Sequence, residues 1–225
     1  MKPYPSIPGV PFFGLPIIAF DKLDGSNVRA EWTRKRGFWK FGRRRGLLDH
    51  TNPILLRAEG LILNKYGDDL GRIFREQRWT KATAFFEFHG PQSFAGLHEE
   101  GERQTVTLLD VFISLKGMLT PRQFLKLFDG VETPSVLYEG NLTRPFYDSV
   151  RRSELEGMTL EGVVCKAPTR IKGHHNAACK IKSWEWLCRV LERYGDDEVT
   201  FRRLADGPVA LFPDEQKSIQ GLIRS

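Results

Sequence analysis

Nothing in the 225-residue chain approaches the roughly 20 consecutive apolar residues that cross a bilayer, so no membrane-spanning helix is expected. The opening Met1-Lys2-Pro3-Tyr4-Pro5 has no apolar signal region, which leaves the cytoplasm as the expected compartment. Cysteine is scarce. Cys165, Cys179 and Cys188 make neither an even disulfide framework nor the paired spacing of a zinc site. Each lies in or near an apolar run, and all three are expected to be reduced residues in or near the core. Glycines occur between residues 90 and 101, but no Gly-x-x-x-x-Gly-Lys-Ser/Thr segment does, which excludes a P-loop. His174-His175, taken with His89, His98 or Cys179, lacks metal-ligand spacing, and adjacent strand residues point to opposite faces. A polar loop is expected there. Ser26 and Ser93 lack the surroundings of a hydrolase nucleophile, and internal repeats, low-complexity tracts and an interdomain linker are also missing.

Positive charge is what the chain has in excess: 34 Lys and Arg against 28 Asp and Glu give +6, a balance that favours polyanionic partners. Arg34, Lys35, Arg36, Lys40, Arg43, Arg44 and Arg45 crowd one segment, interleaved with Trp32, Phe38, Trp39 and Phe41. Cations for phosphates and rings for bases suit nucleic acid or nucleotide. The rings are nonetheless expected to fill the core beneath a charged hairpin. For the arginines, a solvated face and a phosphate-binding face are both open.

Apolar patterning predicts strands at Ile17 to Phe20, Asn27 to Trp32, Trp39 to Gly42, Lys81 to Phe88, Thr105 to Ile113, Val163 to Lys166 and Ala178 to Lys182. Ile54, Leu55, Ala58, Leu61, Ile62 and Tyr66 have helical spacing. Thr120-Pro121 caps a helix to Phe128, Leu142 to Leu155 holds another, and Trp184 to Tyr194 a last one. Hairpins with scattered helices predict an α+β fold with mainly antiparallel sheet.

The chemistry is concentrated in Lys22-Leu23-Asp24-Gly25-Ser26-Asn27, followed far downstream by Glu161-Gly162-Val163-Val164-Cys165-Lys166 and Lys180-Ile181-Lys182. Each piece alone is ordinary: a surface turn, a turn entering a buried strand, the solvated side of a half-buried strand. Their order and spacing are what suggest a covalent nucleotidyltransferase. A lysine attacks a nucleoside triphosphate as the free amine and needs cations to neutralise the phosphates. Lys166, Lys180 and Lys182 could supply them.

With Phe86-Glu87-Phe88-His89-Gly90 and Leu109-Asp110-Val111 between those segments, and Ser93-Phe94-Ala95-Gly96-Leu97-His98 like bacterial and phage members, the chain resembles the RNA ligase family. It is similar to the catalytic domain of the ATP-dependent nick-sealing RNA ligases, and more distantly to DNA ligases and capping enzymes. The resemblance implies a ligase adenylation fold over residues 1–195, with residues 196–225 a short C-terminal extension packed on it and no OB-fold domain. It implies Lys22 as nucleophile, Lys180 and Lys182 on the α-phosphate, and Glu161 on a divalent cation, Mg²⁺ or Mn²⁺. Asp24 and Glu87 are further metal candidates, and Glu87 alternatively contacts the ribose. Gly25, Arg44 and Leu109 complete the implied ATP site, and Arg43, Arg44 and Arg45 the nucleic-acid contact. Leu109 stands where many relatives place an aromatic ring on the adenine.

The implied activity is polynucleotide ligation through lysyl-AMP, on RNA in preference to DNA, by a monomer. DNA ligation and GTP-dependent capping-type guanylyl transfer share the lysine chemistry. A binding module for nucleotide or nucleic-acid ends is the alternative of another class.

Overall fold

Apolar and polar residues alternate along the strand Gly25–Thr33, and the helix Pro53–Glu76 packs on the face that the strand's apolar residues form. The computed structural model describes residues 1–44, 46–48, 53–91, 102–170, 177–194 and 197. In chain order its elements are β1 (Pro16–Asp21), β2 (Gly25–Thr33), β3 (Gly37–Arg43), β4 (Gly46–Leu47), α1 (Pro53–Glu76), β5 (Lys81–His89), β6 (Thr105–Ile113), β7 (Gly117–Met118), α2 (Pro121–Leu127), β8 (Val136–Asn141), α3 (Arg144–Arg151), β9 (Gly162–Lys166), β10 (Ala178–Lys182) and α4 (Trp184–Tyr194). The chain divides into two compact units.

The first unit holds Met1–Ser6, Leu23–Ser135 and the described residues of 167–176. Its six-stranded antiparallel sheet runs β4-β3-β2-β5-β6-β7. Val28, Ala30 and Trp32 alternate inward from β2, as do Ala82, Ala84, Phe86 and Phe88 from β5. Ala58, Ile62, Tyr66, Leu70 and Phe74 recur every fourth residue along α1 and join the same buried cluster. In β6 the inward set changes parity from Val106 and Leu108 to Val111 and Ile113. A bulge absorbs the change: Phe86 faces Leu108 while Phe85 faces Asp110, leaving Leu109 as the extra residue.

Helix α2 begins with a capping box. The Gln123 amide donates to the Thr120 hydroxyl, and the Gln123 side chain accepts from the Thr120 amide at 3.0 Å. Thr120→Ala should therefore cost about 1 kcal/mol. The expected result is a lower urea midpoint with an unchanged slope.

The second unit holds Ile7–Lys22, Val136–Lys166 and the described residues from Ala177 onward. Its four-stranded antiparallel sheet runs β10-β9-β1-β8. Ile17, Ala19, Val163, Cys165, Cys179 and Ile181 are buried with Phe146 and Val150 of α3. All three cysteines are free thiols, Cys165 and Cys179 buried and Cys188 half-buried, as expected.

Three expectations need correction. The Lys22-Leu23-Asp24-Gly25 segment, which taken alone reads as a surface turn, is not one: β1 and β2 lie in different sheets and 22–24 link them. The helix read as ending near Tyr66 continues to Glu76, because Leu70 and Phe74 extend its buried stripe through Gly67 and Gly71. Among the four hairpin aromatics, Trp32 and Phe41 are buried and Phe38 packs on the core, whereas Trp39 is exposed. No helix among the described residues is long and apolar enough to cross a membrane.

Candidate active site

The second unit carries a lysine face because its sheet alternates. Cys179 and Ile181 of β10 enter the core, so Lys180 and Lys182 project from the other side. Register puts Val164 opposite both Phe20 and Lys180, and β9 ends on the same side with Lys166. The Lys166 ammonium lies 5.0 Å from the Phe20 ring centroid. Lys22 follows β1 directly, and its amide donates to the Gly162 carbonyl at 2.9 Å, extending the β1–β9 pairing past the strand end.

Glu161 receives two of these lysines. Its Oε1 is 2.7 Å from Lys22 Nζ and 3.6 Å from Lys182 Nζ, with the carboxylate side chain 6% exposed and the lysines 19% and 10%. Sequence separation between Lys22 and Glu161 is large, so this meeting is a product of the sheet: β1 and β9 are neighbours, and Lys182 of β10 faces Gly162. The Lys182 ammonium also lies 4.1 Å from the Trp186 ring centroid, a cation–π contact that fixes the side chain from α4.

Backbone contacts hold the cluster from behind. The Ser183 amide donates to the Glu161 carbonyl at 3.0 Å, and its hydroxyl donates to the Leu160 carbonyl and accepts from the Trp186 amide at 3.1 Å. Ser183 thus caps α4 and ties it to the Glu161 segment. Arg151, buried at the end of α3, donates through Nη1 to the Lys182 carbonyl at 2.9 Å. Behind Lys22, burial pushes the Asp21 carboxyl up. Hydrogen bonds from Thr159 and the nearby Lys22 charge oppose that shift.

The first unit holds the remaining sequence candidates. Asp24 precedes β2, and Gly25 opens it opposite His89. Gly25 does not need an unusual dihedral; a Cβ there would lie 2.4 Å from the Phe88 carbonyl oxygen, so close strand approach demands glycine. Glu87 lies half-buried between Asn27 and Thr107 in the register, and Leu109 is the half-buried bulge residue of β6. Arg43 ends β3 exposed, and Arg44 donates from Nη2 to the Ser6 hydroxyl at 3.4 Å. Arg45, Ser93 to His98, His174-His175 and the chain from 198 lie outside the described residues. Asp110 accepts a short hydrogen bond from Tyr4, whose ring packs 4.9 Å from Phe85. Burial, with Asp110 beside it, pushes the Tyr4 hydroxyl well up.

Sequence reasoning did not single out Arg151, Ser183, Trp186 or Tyr4. Only Ser183 carried a usable signal, a serine immediately before an apolar helical run.

Among the described residues no group of three or more His, Cys, Asp or Glu converges as a metal cage. Glu161 offers hard carboxylate oxygens, the donor type a divalent cation takes, but its Oε1 is paired here with the Lys22 and Lys182 ammoniums, so a cation there would have to displace Lys22.

No family model and no curated protein matches the sequence. Solved structures do. A protein of Aquifex aeolicus assigned as an ATP-dependent DNA ligase superposes with a TM-score of 0.62 at 16% identity, over 97% of this chain and 57% of its own. An alanine variant of Naegleria gruberi RNA ligase with ATP and manganese gives 0.55 at 16% identity, over 82% of this chain and 52% of its own. The same ligase with pyrophosphate gives 0.55 at 16%, over 82% and 53%. The fold is that of the ligase-type nucleotidyltransferases, α+β on antiparallel sheets, as the sequence resemblance implies. The chain spans little more than half the length of these solved ligases.

Proposed function

We propose that the chain is an ATP-dependent polynucleotide ligase, acting on RNA in preference to DNA through a covalent lysyl-AMP. The observation that carries this reading is Lys22 held at Glu161 beside Lys182, on a sheet face that also bears Lys166 and Lys180. Likeness to solved DNA and RNA ligases supports the class; the preference for RNA follows the sequence resemblance.

Attack requires the neutral amine, so the Lys22–Glu161 ion pair opens before chemistry. Lys22 Nζ, its proton lost, then attacks the α-phosphorus of ATP; a P–N bond forms, the α–β phosphoanhydride breaks and pyrophosphate leaves. A 5′-phosphate takes the AMP and frees the amine. A 3′-hydroxyl next attacks that phosphate, forming the phosphodiester and releasing AMP. Lys180 and Lys182 stabilise the charge that develops on the transferred phosphate oxygens. Bound Mg²⁺ or Mn²⁺ would supply positive charge to the triphosphate, and Glu161 would hold it, with Asp24 and Glu87 as further candidates. In the same reading Gly25, Arg44 and Leu109 line the nucleotide site, with Glu87 on the ribose if not on the metal. Arg43, Arg44 and Arg45 meet the nucleic acid, and the enzyme works as a monomer.

Intact-protein mass spectrometry after incubation with ATP and Mg²⁺ tests this. The expected result is an acid-stable AMP adduct that maps to Lys22, absent with EDTA and absent with GTP. A GMP adduct instead would move the chain to the capping-type enzymes. No adduct with either nucleotide, in folded protein not already adenylylated, would leave a binding module.

A further inference from the structure

Hairpin β2–β3 turns through Arg34, Lys35 and Arg36, all exposed. Beyond the turn, Glu31 faces Lys40 and Trp32 faces Phe38, so β3 carries one residue more than β2, and that residue is Trp39. A bulge of this kind re-aims a side chain. Trp32 and Phe38 go to the core, whereas Trp39 is 40% exposed. The Arg36 guanidinium stands 4.8 Å and the Lys40 ammonium 5.6 Å from its ring centroid. From Thr33 to Arg44 the chain has no acidic residue.

A large exposed ring set among cations, without a carboxylate in the segment, discriminates between partners. An apolar protein surface would have to desolvate the cations. An acidic peptide would use the cations and leave the ring idle. Duplex nucleic acid would meet the charges with its backbone while its bases stay stacked inside. An unpaired nucleotide satisfies both parts, its phosphate with the cations and its base with the ring.

We propose that Trp39 is a stacking platform for an unpaired base and that Arg36 and Lys40, with Arg34 and Lys35, hold the adjoining phosphates of a single strand. This rests on the polynucleotide reading above and extends it to a surface and to strandedness.

Fluorescence anisotropy of a short labelled single-stranded RNA, without ATP, tests the surface in the full chain. Trp39→Ala should weaken binding roughly 10-fold, within the range of single base–aromatic stacks. Trp39→Phe should recover part of that loss. Arg36→Gln with Lys40→Gln should reduce the slope of log affinity against log salt by roughly 1.4, about 0.7 for each single-strand phosphate that is no longer neutralised. Duplex of the same sequence should bind Trp39→Ala as well as wild type. Urea unfolding checks that each variant is folded; if Trp39→Ala is not, Trp39→Phe and the charge pair still decide. Single-strand binding unchanged in all the folded variants would overturn this proposal while leaving ligation intact. Wild-type protein that binds RNA but forms no AMP adduct would overturn ligation alone, and wild-type protein that forms the adduct but binds no single-stranded RNA would overturn this proposal alone.

Discussion

Lys22→Ala should take up no AMP from ATP, a complete loss and not a reduced rate, because no other group replaces a covalent nucleophile. The fold should survive it. Lys22 lies one residue beyond β1, and its contribution to the sheet is the backbone bond from its amide to Gly162, which alanine keeps. Glu161 retains Lys182 at 3.6 Å, so the carboxylate is not left without a cation. Lys22→Arg sharpens the test. A guanidinium can still pair with Glu161, but it stays protonated and cannot attack phosphorus. Both variants should therefore remain folded and unlabelled in a radioactive ATP assay. An AMP adduct on either would remove Lys22 from the nucleophile's role and make Lys166, Lys180 and Lys182 the residues to map next.

Lys22, Glu161 and Lys182 stand out in the sequence by residue type and order, but their meeting does not, since Lys22 reaches Glu161 only after β1 and β9 pair. Strands such as Thr105–Ile113 and the helix Trp184–Tyr194 were readable in full, because apolar spacing alone defines them. Spacing failed where tertiary contact overrides propensity: the second half of α1 passes through Gly67 and Gly71 and is held by Leu70 and Phe74. It also failed at bulges, which shift parity without any mark in the sequence, and so Trp39 was assigned to the core. Arg151 and Trp186 were missed for a related reason. Each supports Lys182 across the fold, one at its carbonyl and one at its ammonium, and neither has a local signature.

Gly162 shows how tightly that support is drawn, and Gly162→Ala should be among the most damaging single substitutions in the chain. Its φ is +126°, a conformation that glycine alone adopts readily. A Cβ there would stand 2.1 Å from the Ile181 carbonyl oxygen and 2.9 Å from the Lys182 Cα. Both are backbone atoms of β10, so no side chain can swing away. Strain of this kind is worth about 1–3 kcal/mol from the dihedral alone, and the clash adds to it. We expect a loss of roughly 3 kcal/mol or more in urea unfolding. The displacement would also reach the chemistry. Gly162 pairs with Lys182, follows Glu161 and accepts the Lys22 amide, so the residue that must move touches all three members of the cluster. AMP uptake should consequently fall further than the folded fraction does. Gly60 provides the internal comparison: it lies in α1, and a Cβ there meets nothing within 4 Å. Gly60→Ala should stabilise the protein by about 0.5–1 kcal/mol and leave AMP uptake unchanged. If Gly162→Ala matched it in both assays, the close approach of β9 and β10 at the end of the lysine face would be wrong, and with it the geometry on which the assignment of Glu161 and Lys182 depends.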